Sequence, residues 1–136
     1  MSTFEIVTKY IDLLENDKFG EWFVDKENDG SKEHPIQMPF VMYSQVVHGL
    51  IEDIHRCAKD TRIRNYGEIL EKHNIEWGQK SMKNADVISL PAEAIFALLL
   101  GAVRAERFCD GVLLAFLQDG SILKWLTELK SKDEGK

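Results

Sequence analysis

The sequence predicts a mainly helical fold at the margin of the α+β class, with five to six helices around one buried central helix and a small β-hairpin near residues 22–43. Ten consecutive apolar residues, 94–103, follow Pro91, and a helix without a polar face has to be covered on all sides. Most other segments repeat apolar residues at helical spacing. Around Asp29-Gly30, a hairpin-turn signal, the pattern changes to short runs of aromatic and β-branched residues.

The N-terminal segment predicts a first helix over residues 3–16. Ser2 and Glu5 have the spacing of a capping box, in which each side chain satisfies a free backbone N–H of the other. A core stripe follows at helical spacing, formed by Phe4, Val7, Ile11 and Leu14.

The hairpin is predicted from residues 22–24 and 36–43. Pro39 places the second strand at a sheet edge, because proline cannot donate to a ladder of hydrogen bonds. The ten-residue connection 25–34 is equally compatible with two loops.

Two helices are predicted in the middle of the chain. Ser44 can cap a helix over 45–59 through its side-chain oxygen. A short helix begins at Asn65, whose side chain can also cap, with Glu68 three residues further on.

The central helix is predicted over 91–107. Residues 76–89 before it have no clear period and predict an irregular segment, with Trp77 and Met82 as anchors in the core. Pro91 suits the first turn of a helix, where its missing N–H removes no hydrogen bond.

The C-terminal part predicts two more helices, near 111–118 and 121–130, separated by Asp119-Gly120 with the glycine in the left-handed region. Residues 131–136 form a charged tail, expected to be mobile. No repeat or linker divides the chain, so residues 1–136 are expected to form a single domain.

The composition excludes several classes of function. With 17 Lys and Arg against 23 Asp and Glu, the formal charge is -6, which argues against a nucleic-acid or membrane-surface partner. Cys57 and Cys109 lack paired spacing and the N-terminus has no targeting features, so we expect reduced thiols in a cytoplasmic protein.

Two reactive-site patterns have simpler structural interpretations. His48, Glu52 and His55 share one side of a helix, but that side points away from the core stripe and predicts a solvated face rather than a metal site. Cys109 has no base near it in the sequence and predicts a buried, inert thiol. We therefore expect neither a metal nor a cofactor.

The stretch Arg-Ala-Glu-Arg-Phe-Cys-Asp-Gly, residues 104–111, is the strongest candidate site. Glu106 projects about 20° from Ile95 if the central helix continues, so its carboxylate must pair with a cation or lie at the open end of the core. One interpretation is a structural ion pair, with Arg107 or a hairpin residue as the partner of Glu106. The other is a pocket in which Arg104 and Arg107 bind an anion.

Five segments together resemble the bacterial domain-of-unknown-function family 6508. They are Trp22 with Gln37-Met38-Pro39 and Tyr43-Ser44; Asn65-Tyr66-Gly67-Glu68-Ile69-Leu70-Glu71-Lys72; Ser81-Met82 with Ala85-Asp86; residues 104–111; and Asp119-Gly120 through Leu126. The resemblance implies a small bacterial protein and carries no assigned activity. Among its motif positions, Tyr43 and Arg107 have polar ends that suggest a function.

Two function hypotheses follow. The first is a non-catalytic association module, a homodimer or a binder of another protein, with an exposed apolar patch containing Trp22, Phe23 or Trp125. The second is a domain or enzyme that binds a small anionic ligand, with a site formed by Tyr43, Arg104, Glu106, Arg107 and Asp110. A DNA-binding pair of helices at the C-terminus is disfavoured, because those helices contain almost no arginine.

Overall fold

The computed structural model describes residues 4–15, 17–23, 40–63, 65–107 and 111–133. At residues 22, 23, 40, 79 and 133 the description covers the backbone alone. The elements in chain order are α1 (Glu5–Thr8), α2 (Tyr10–Glu15), β1 (Gly20–Phe23), β2 (Phe40–Tyr43), α3 (Gln45–Thr61), α4 (Tyr66–Lys72), α5 (Gln79–Lys83), a 3₁₀ turn (Val87–Ser89), α6 (Ala92–Ala105), α7 (Val112–Gln118) and α8 (Ser121–Asp133). The predicted fold class, mainly helical with a small hairpin, is confirmed.

Helix α6 is the centre of the core, as its composition predicts. Every residue from Ala94 to Val103 is buried, because α3, α4, α7 and α8 pack around it. Helix α8 contributes an apolar stripe that includes Trp125, whose ring lies 5.2 Å from that of Phe116 on α7. Trp125 is therefore fully buried, and its predicted place in an exposed apolar patch is wrong.

Helix α3 begins where the sequence predicts. Ser44 Oγ accepts a hydrogen bond from the Val47 N–H at 3.2 Å and donates one to Asp17 Oδ2 at 2.6 Å. The capping residue Ser44 thus also connects the segment after α2, through Asp17, to the start of α3. The predicted first helix is divided into α1 and α2 at Lys9.

The two strands pair antiparallel, with Gly20 opposite Tyr43 and Phe23 opposite Phe40. A Cβ at Gly20 would lie 2.6 Å from the Met42 carbonyl oxygen, so only glycine fits this position. The connecting residues 24–39, with the predicted turn and Pro39, lie outside the described residues.

Three local predictions need correction. The Asn65 side chain does not cap α4; it donates a hydrogen bond to Glu68 Oε2 at 3.1 Å. The segment predicted to be irregular contains α5 and the 3₁₀ turn. Trp77 contacts Gly101 of α6 but is 44% exposed, so it is not buried in the core as predicted. Met82 is buried as expected.

The C-terminal helix is longer than predicted. It begins after Gly120, whose φ of 85° confirms the left-handed break, and runs to Asp133. Leu129 is buried, and Lys132 Nζ donates to the Ile88 carbonyl oxygen at 2.6 Å. The first residues of the predicted charged tail are therefore helical. Among the described residues, no helix combines the length and apolar character needed to cross a membrane.

Candidate functional site

Glu106 connects α6 to α7 through its carboxylate. The Gly111 N–H lies 3.1 Å from both carboxylate oxygens, and the Leu113 N–H donates to Oε1 at 3.0 Å. Backbone N–H groups in the first turn of a helix have no intrahelical acceptor, and a negative charge is stabilised there. The described partner of Glu106 is thus the backbone at the start of α7. The prediction that Arg107 pairs with it is wrong, and the connecting residues 24–39 of the hairpin lie outside the described residues.

Tyr43 reaches the same helical turn from the hairpin. Its hydroxyl oxygen accepts a hydrogen bond from the Leu114 N–H at 3.1 Å, and its ring lies edge-on to His48 with centroids 6.5 Å apart. Glu106 and Tyr43 therefore satisfy successive N–H groups of α7. Gly111 starts this helix with a φ of 92°, a left-handed conformation that favours glycine.

A basic cluster is formed by His55 of α3 with Arg104 in the last turn of α6 and Arg107 just after that helix. Arg104 Nε and His55 Nε2 are buried, and neither makes a hydrogen bond in the part of the chain that the structure describes. Burial, followed by the positive charges of Arg104 and then Arg107, lowers the pKa of His55 below its ordinary 6.5. The positive charges of both guanidinium groups thus disfavour the protonated form of the same imidazole.

The basic cluster has no acidic partner among the described residues. Glu106, the nearest carboxylate in sequence, is occupied by the backbone of α7. The ion pairs in the described ranges join Lys9 and Arg56 to Asp53, and Lys83 to Asp119. A buried donor without an acceptor typically costs about 1–3 kcal/mol, and neighbouring positive charges add repulsion. An anion bound here would relieve both costs.

The polar face of α3 differs in part from its prediction. His48 and Glu52 are exposed, as a solvated face requires, but His55 is only partly exposed and its Nε2 is buried. The prediction is wrong for His55, because the end of α6 lies beside it. Within the described residues, no group of three His, Cys, Asp or Glu side chains is placed to hold a metal ion.

Of the five predicted site residues, the structure brings Tyr43 and Glu106 together at α7 and sets Arg104 and Arg107 around His55. Asp110 lies outside the described residues, as does Cys109. His55 was missed as a member of the site, since its spacing from His48 suggested only a solvated face. Cys57 is buried, with 1% of its surface exposed.

A second polar network, between α2 and α3, was also missed. The Tyr10 hydroxyl donates to Asp53 Oδ2 at 2.6 Å, and Lys9 and Arg56 approach the same carboxylate at 3.4 and 3.5 Å. Burial, then the hydrogen bond and the charge of Asp53, raise the pKa of Tyr10 from 10.0 to about 12. The sequence signal that could have indicated this network is Asp53, an acidic residue directly before the core residue Ile54.

The sequence of the chain matches a known protein family over almost its full length. A family model described as a family of unknown function, DUF6508, matches residues 2–134. The chain belongs to the DUF6508 family. It matches no curated protein and no solved structure. DUF6508 is a family of unknown function. The function of this DUF6508 protein therefore has to be inferred from the geometry of its own residues.

Several residues that carried the resemblance have structural roles in this DUF6508 protein. Tyr43 and Gly111 set the start of α7, and Gly120 provides the left-handed break before α8. Arg107 is different, since it is exposed and acts on His55 without an ion pair of its own among the described residues. Arg107 is therefore the motif residue whose polar end is open to a binding partner outside the described residues.

Proposed function

We propose that this DUF6508 protein is a non-catalytic binding module that holds an anionic group in the basic cluster of His55, Arg104 and Arg107. The observation that carries the proposal is a pair of buried polar atoms, Arg104 Nε and His55 Nε2, for which the described part of the chain offers no hydrogen-bond partner. Arginines without an ion pair to any described carboxylate are unusual in a chain with a formal charge of -6, where carboxylates are abundant.

Phosphate and carboxylate groups fit the chemistry of this cluster. A guanidinium offers several N–H donors in a fixed plane that matches two oxygens of such a group. His55 adds one more donor when its Nε2 is protonated, and a bound anion favours that protonated form. The ligand would therefore replace the missing counter-charge and the missing acceptors together.

A binding role is favoured over catalysis because the acid–base candidates are already occupied. Glu106 accepts hydrogen bonds from two N–H groups of α7, and the Tyr43 hydroxyl accepts one. A general acid or base has to reach the reacting atom, and these two groups face the protein backbone.

The test is a titration of ¹⁵N-labelled protein with inorganic phosphate, and separately with acetate, followed by NMR. We expect saturable shifts of the Arg104 Nε–H and of the His55 ring, with at least one of the two anions. Arg107→Ala should weaken the binding about fivefold or more, since removing a charge-assisted contact typically costs about 1 kcal/mol or more. Lys130→Ala, which removes a positive charge from an exposed position of α8, should leave it unchanged. The absence of saturable shifts with either anion, or equal affinity in Arg107→Ala, would contradict the proposal.

Self-association is a second candidate, favoured by the hairpin. Met42 is 53% exposed on a sheet that has two strands in the described part of the chain, and such a sheet can add a strand from a second copy. We propose a homodimer in the cytoplasm of a bacterium, a setting that the two cysteines of the sequence support because they lack paired spacing. Sedimentation velocity should show a dimer that Met42→Lys dissociates; a monomer at all concentrations would exclude it.

A further inference from the structure

A cavity lies beside α4 and shares no lining residue with the basic cluster. It has a volume of about 770 Å³ and is lined by Gly67, Glu68 and Glu71 of α4 and by residues 74–77. We call it the acidic cleft. We propose that it binds a lysine or arginine side chain carried by a basic segment of a partner protein. This inference is independent of the proposed anion site.

Three carboxylates give the acidic cleft its charge, those of Glu68, Glu71 and Glu76. All three residues are exposed, and none forms an ion pair with a described Lys or Arg. Glu68 accepts a hydrogen bond from the neutral amide of Asn65 at 3.1 Å. Like charges that line one concave surface add their potentials, which raises the local concentration of cations.

Trp77 supplies an aromatic wall with a fixed orientation. Its indole Nε1–H donates to the Gly101 carbonyl oxygen at 3.0 Å, and its ring packs on Tyr66 with centroids 5.8 Å apart. A Cβ at Gly101 would lie 3.3 Å from the indole ring, so the glycine in α6 allows Trp77 to pack closely against this helix. The side chain is nevertheless 44% exposed. A fixed indole beside carboxylates suits the recognition of ammonium or guanidinium groups.

Gly67 lines the acidic cleft from the first turn of α4. A Cβ built at this position meets no atom within 4 Å, so the fold has room for a larger residue here. A long side chain at position 67 would therefore occupy the cleft without displacing its neighbours.

The shape of the acidic cleft favours a peptide segment over a free cation. A single ammonium group would occupy a small part of about 770 Å³ and would stay largely hydrated beside exposed carboxylates. A chain segment with several basic residues can place one of them on Trp77 and others near Glu68 and Glu71. Charge complementarity therefore identifies the occupant as a basic stretch of another protein.

The test is fluorescence anisotropy with a fluorescein-labelled peptide, Gly-Arg-Lys-Arg-Gly, at low ionic strength. We expect saturable binding that the double variant Glu71→Gln/Glu76→Gln weakens about tenfold or more. Glu5→Gln/Asp60→Asn, which removes the same charge from exposed positions of α1 and α3, should change it less than twofold. Gly67→Arg should abolish binding while thermal stability stays equal or rises, because arginine is a good helix former.

Two outcomes would overturn the inference. One is the absence of binding, or equal binding by the Glu71→Gln/Glu76→Gln variant and its matched control. The other is that arginine amide, a free cation, competes as strongly as the unlabelled peptide, since a segment with several contacts should compete far better. Because Arg107→Ala leaves the cleft residues untouched, it should bind the peptide like the unmodified protein whether or not the anion site exists.

Discussion

At the residue scale, Glu106 shows how a charged side chain in an apolar stripe can be structural. Its carboxylate accepts from Gly111 and Leu113, which places the charge at the positive end of α7. We expect Glu106→Ala to lower the free energy of unfolding by about 2 kcal/mol, from the lost acceptor and the uncapped helix. Glu106→Gln should cost less, because one side-chain oxygen remains.

Urea unfolding followed by circular dichroism measures both variants of Glu106. The matched control is Glu52→Ala, an exposed position on α3, which should change stability by less than about 0.5 kcal/mol. If Glu106→Ala were as stable as the unmodified protein, the capping role of the carboxylate would be wrong.

His55 gives the fold a dependence on pH with a definite sign. Burial and the charges of Arg104 and Arg107 lower its pKa below 6.5 in the folded state, so the unfolded chain takes up a proton first as the pH falls. The contribution of His55 to stability is therefore complete above about pH 6.5 and is lost as the pH falls through the lower, folded pKa.

Urea midpoints at about pH 7.5 and about pH 5.5 test this dependence. His55→Gln should reduce the loss of stability on acidification. Arg107→Ala should reduce it too, since it removes one of the two charges that lower the pKa. An unchanged loss in both variants would show that other groups are responsible.

At the element scale, Tyr10 and Gly49 determine how α2 packs on α3. A Cβ at Gly49 would lie 2.9 Å from the Tyr10 hydroxyl oxygen, and that hydroxyl is held by Asp53 at 2.6 Å. We expect Gly49→Ala to destabilise the protein by roughly 1–2 kcal/mol, because the tyrosine must move or lose its hydrogen bond.

The same substitution should behave differently in a Tyr10→Phe background. Phenylalanine lacks the clashing oxygen, so alanine at position 49 should there be neutral or stabilising by up to about 1 kcal/mol, as expected from helix propensity. A double-mutant cycle by urea unfolding measures the coupling. Additive effects would mean that the hydroxyl does not limit this contact.

Tyr10 also predicts where alkali destabilises the fold. Its pKa is raised from 10.0 to about 12, so the unfolded chain loses this proton first as the pH rises. The stabilisation is therefore complete below pH 10 and is lost as the pH rises towards 12. Tyr10→Phe should flatten the decline of the urea midpoint over this range; an equally steep decline would assign it to other groups.

Elements with a strong local signal could be predicted from the sequence. The apolar run of α6, the Ser44 cap of α3 and the Asp119-Gly120 break are each encoded within a few residues. Elements that depend on distant contacts could not. Part of the C-terminal tail is helical because Lys132 and Leu129 contact other parts of the fold, and the sequence alone places no partner beside them.

At the scale of the whole molecule, the candidate site also combines features that the local sequence predicts with features that depend on distant contacts. Arg104, Glu106 and Arg107 are neighbours in sequence, so their clustering could be predicted, whereas the partners of Glu106 depend on the path into α7. Tyr43 lies 71 residues from its partner Leu114, and the resemblance to the family, rather than spacing, singled it out. His55 joins the cluster only because α3 packs against α6.

The two proposed sites have opposite charge and lie on different elements of an acidic protein. The basic cluster is formed by α3 and the end of α6, and the acidic cleft by α4 and residues 74–77. Both should weaken with added salt, because both depend on exposed or partly exposed charges. The basic cluster has the stronger support of the two, since it joins predicted site residues to buried polar atoms without hydrogen-bond partners among the described residues.

Anion binding by the basic cluster is tested by the pKa of His55, measured by NMR titration of its ring proton with and without saturating phosphate or acetate. In a buffer without a binding anion we expect a pKa below 6.5, and we expect a bound anion to raise it, because the anion stabilises the protonated ring. A His55 pKa that is the same with phosphate, with acetate and without either would contradict the account.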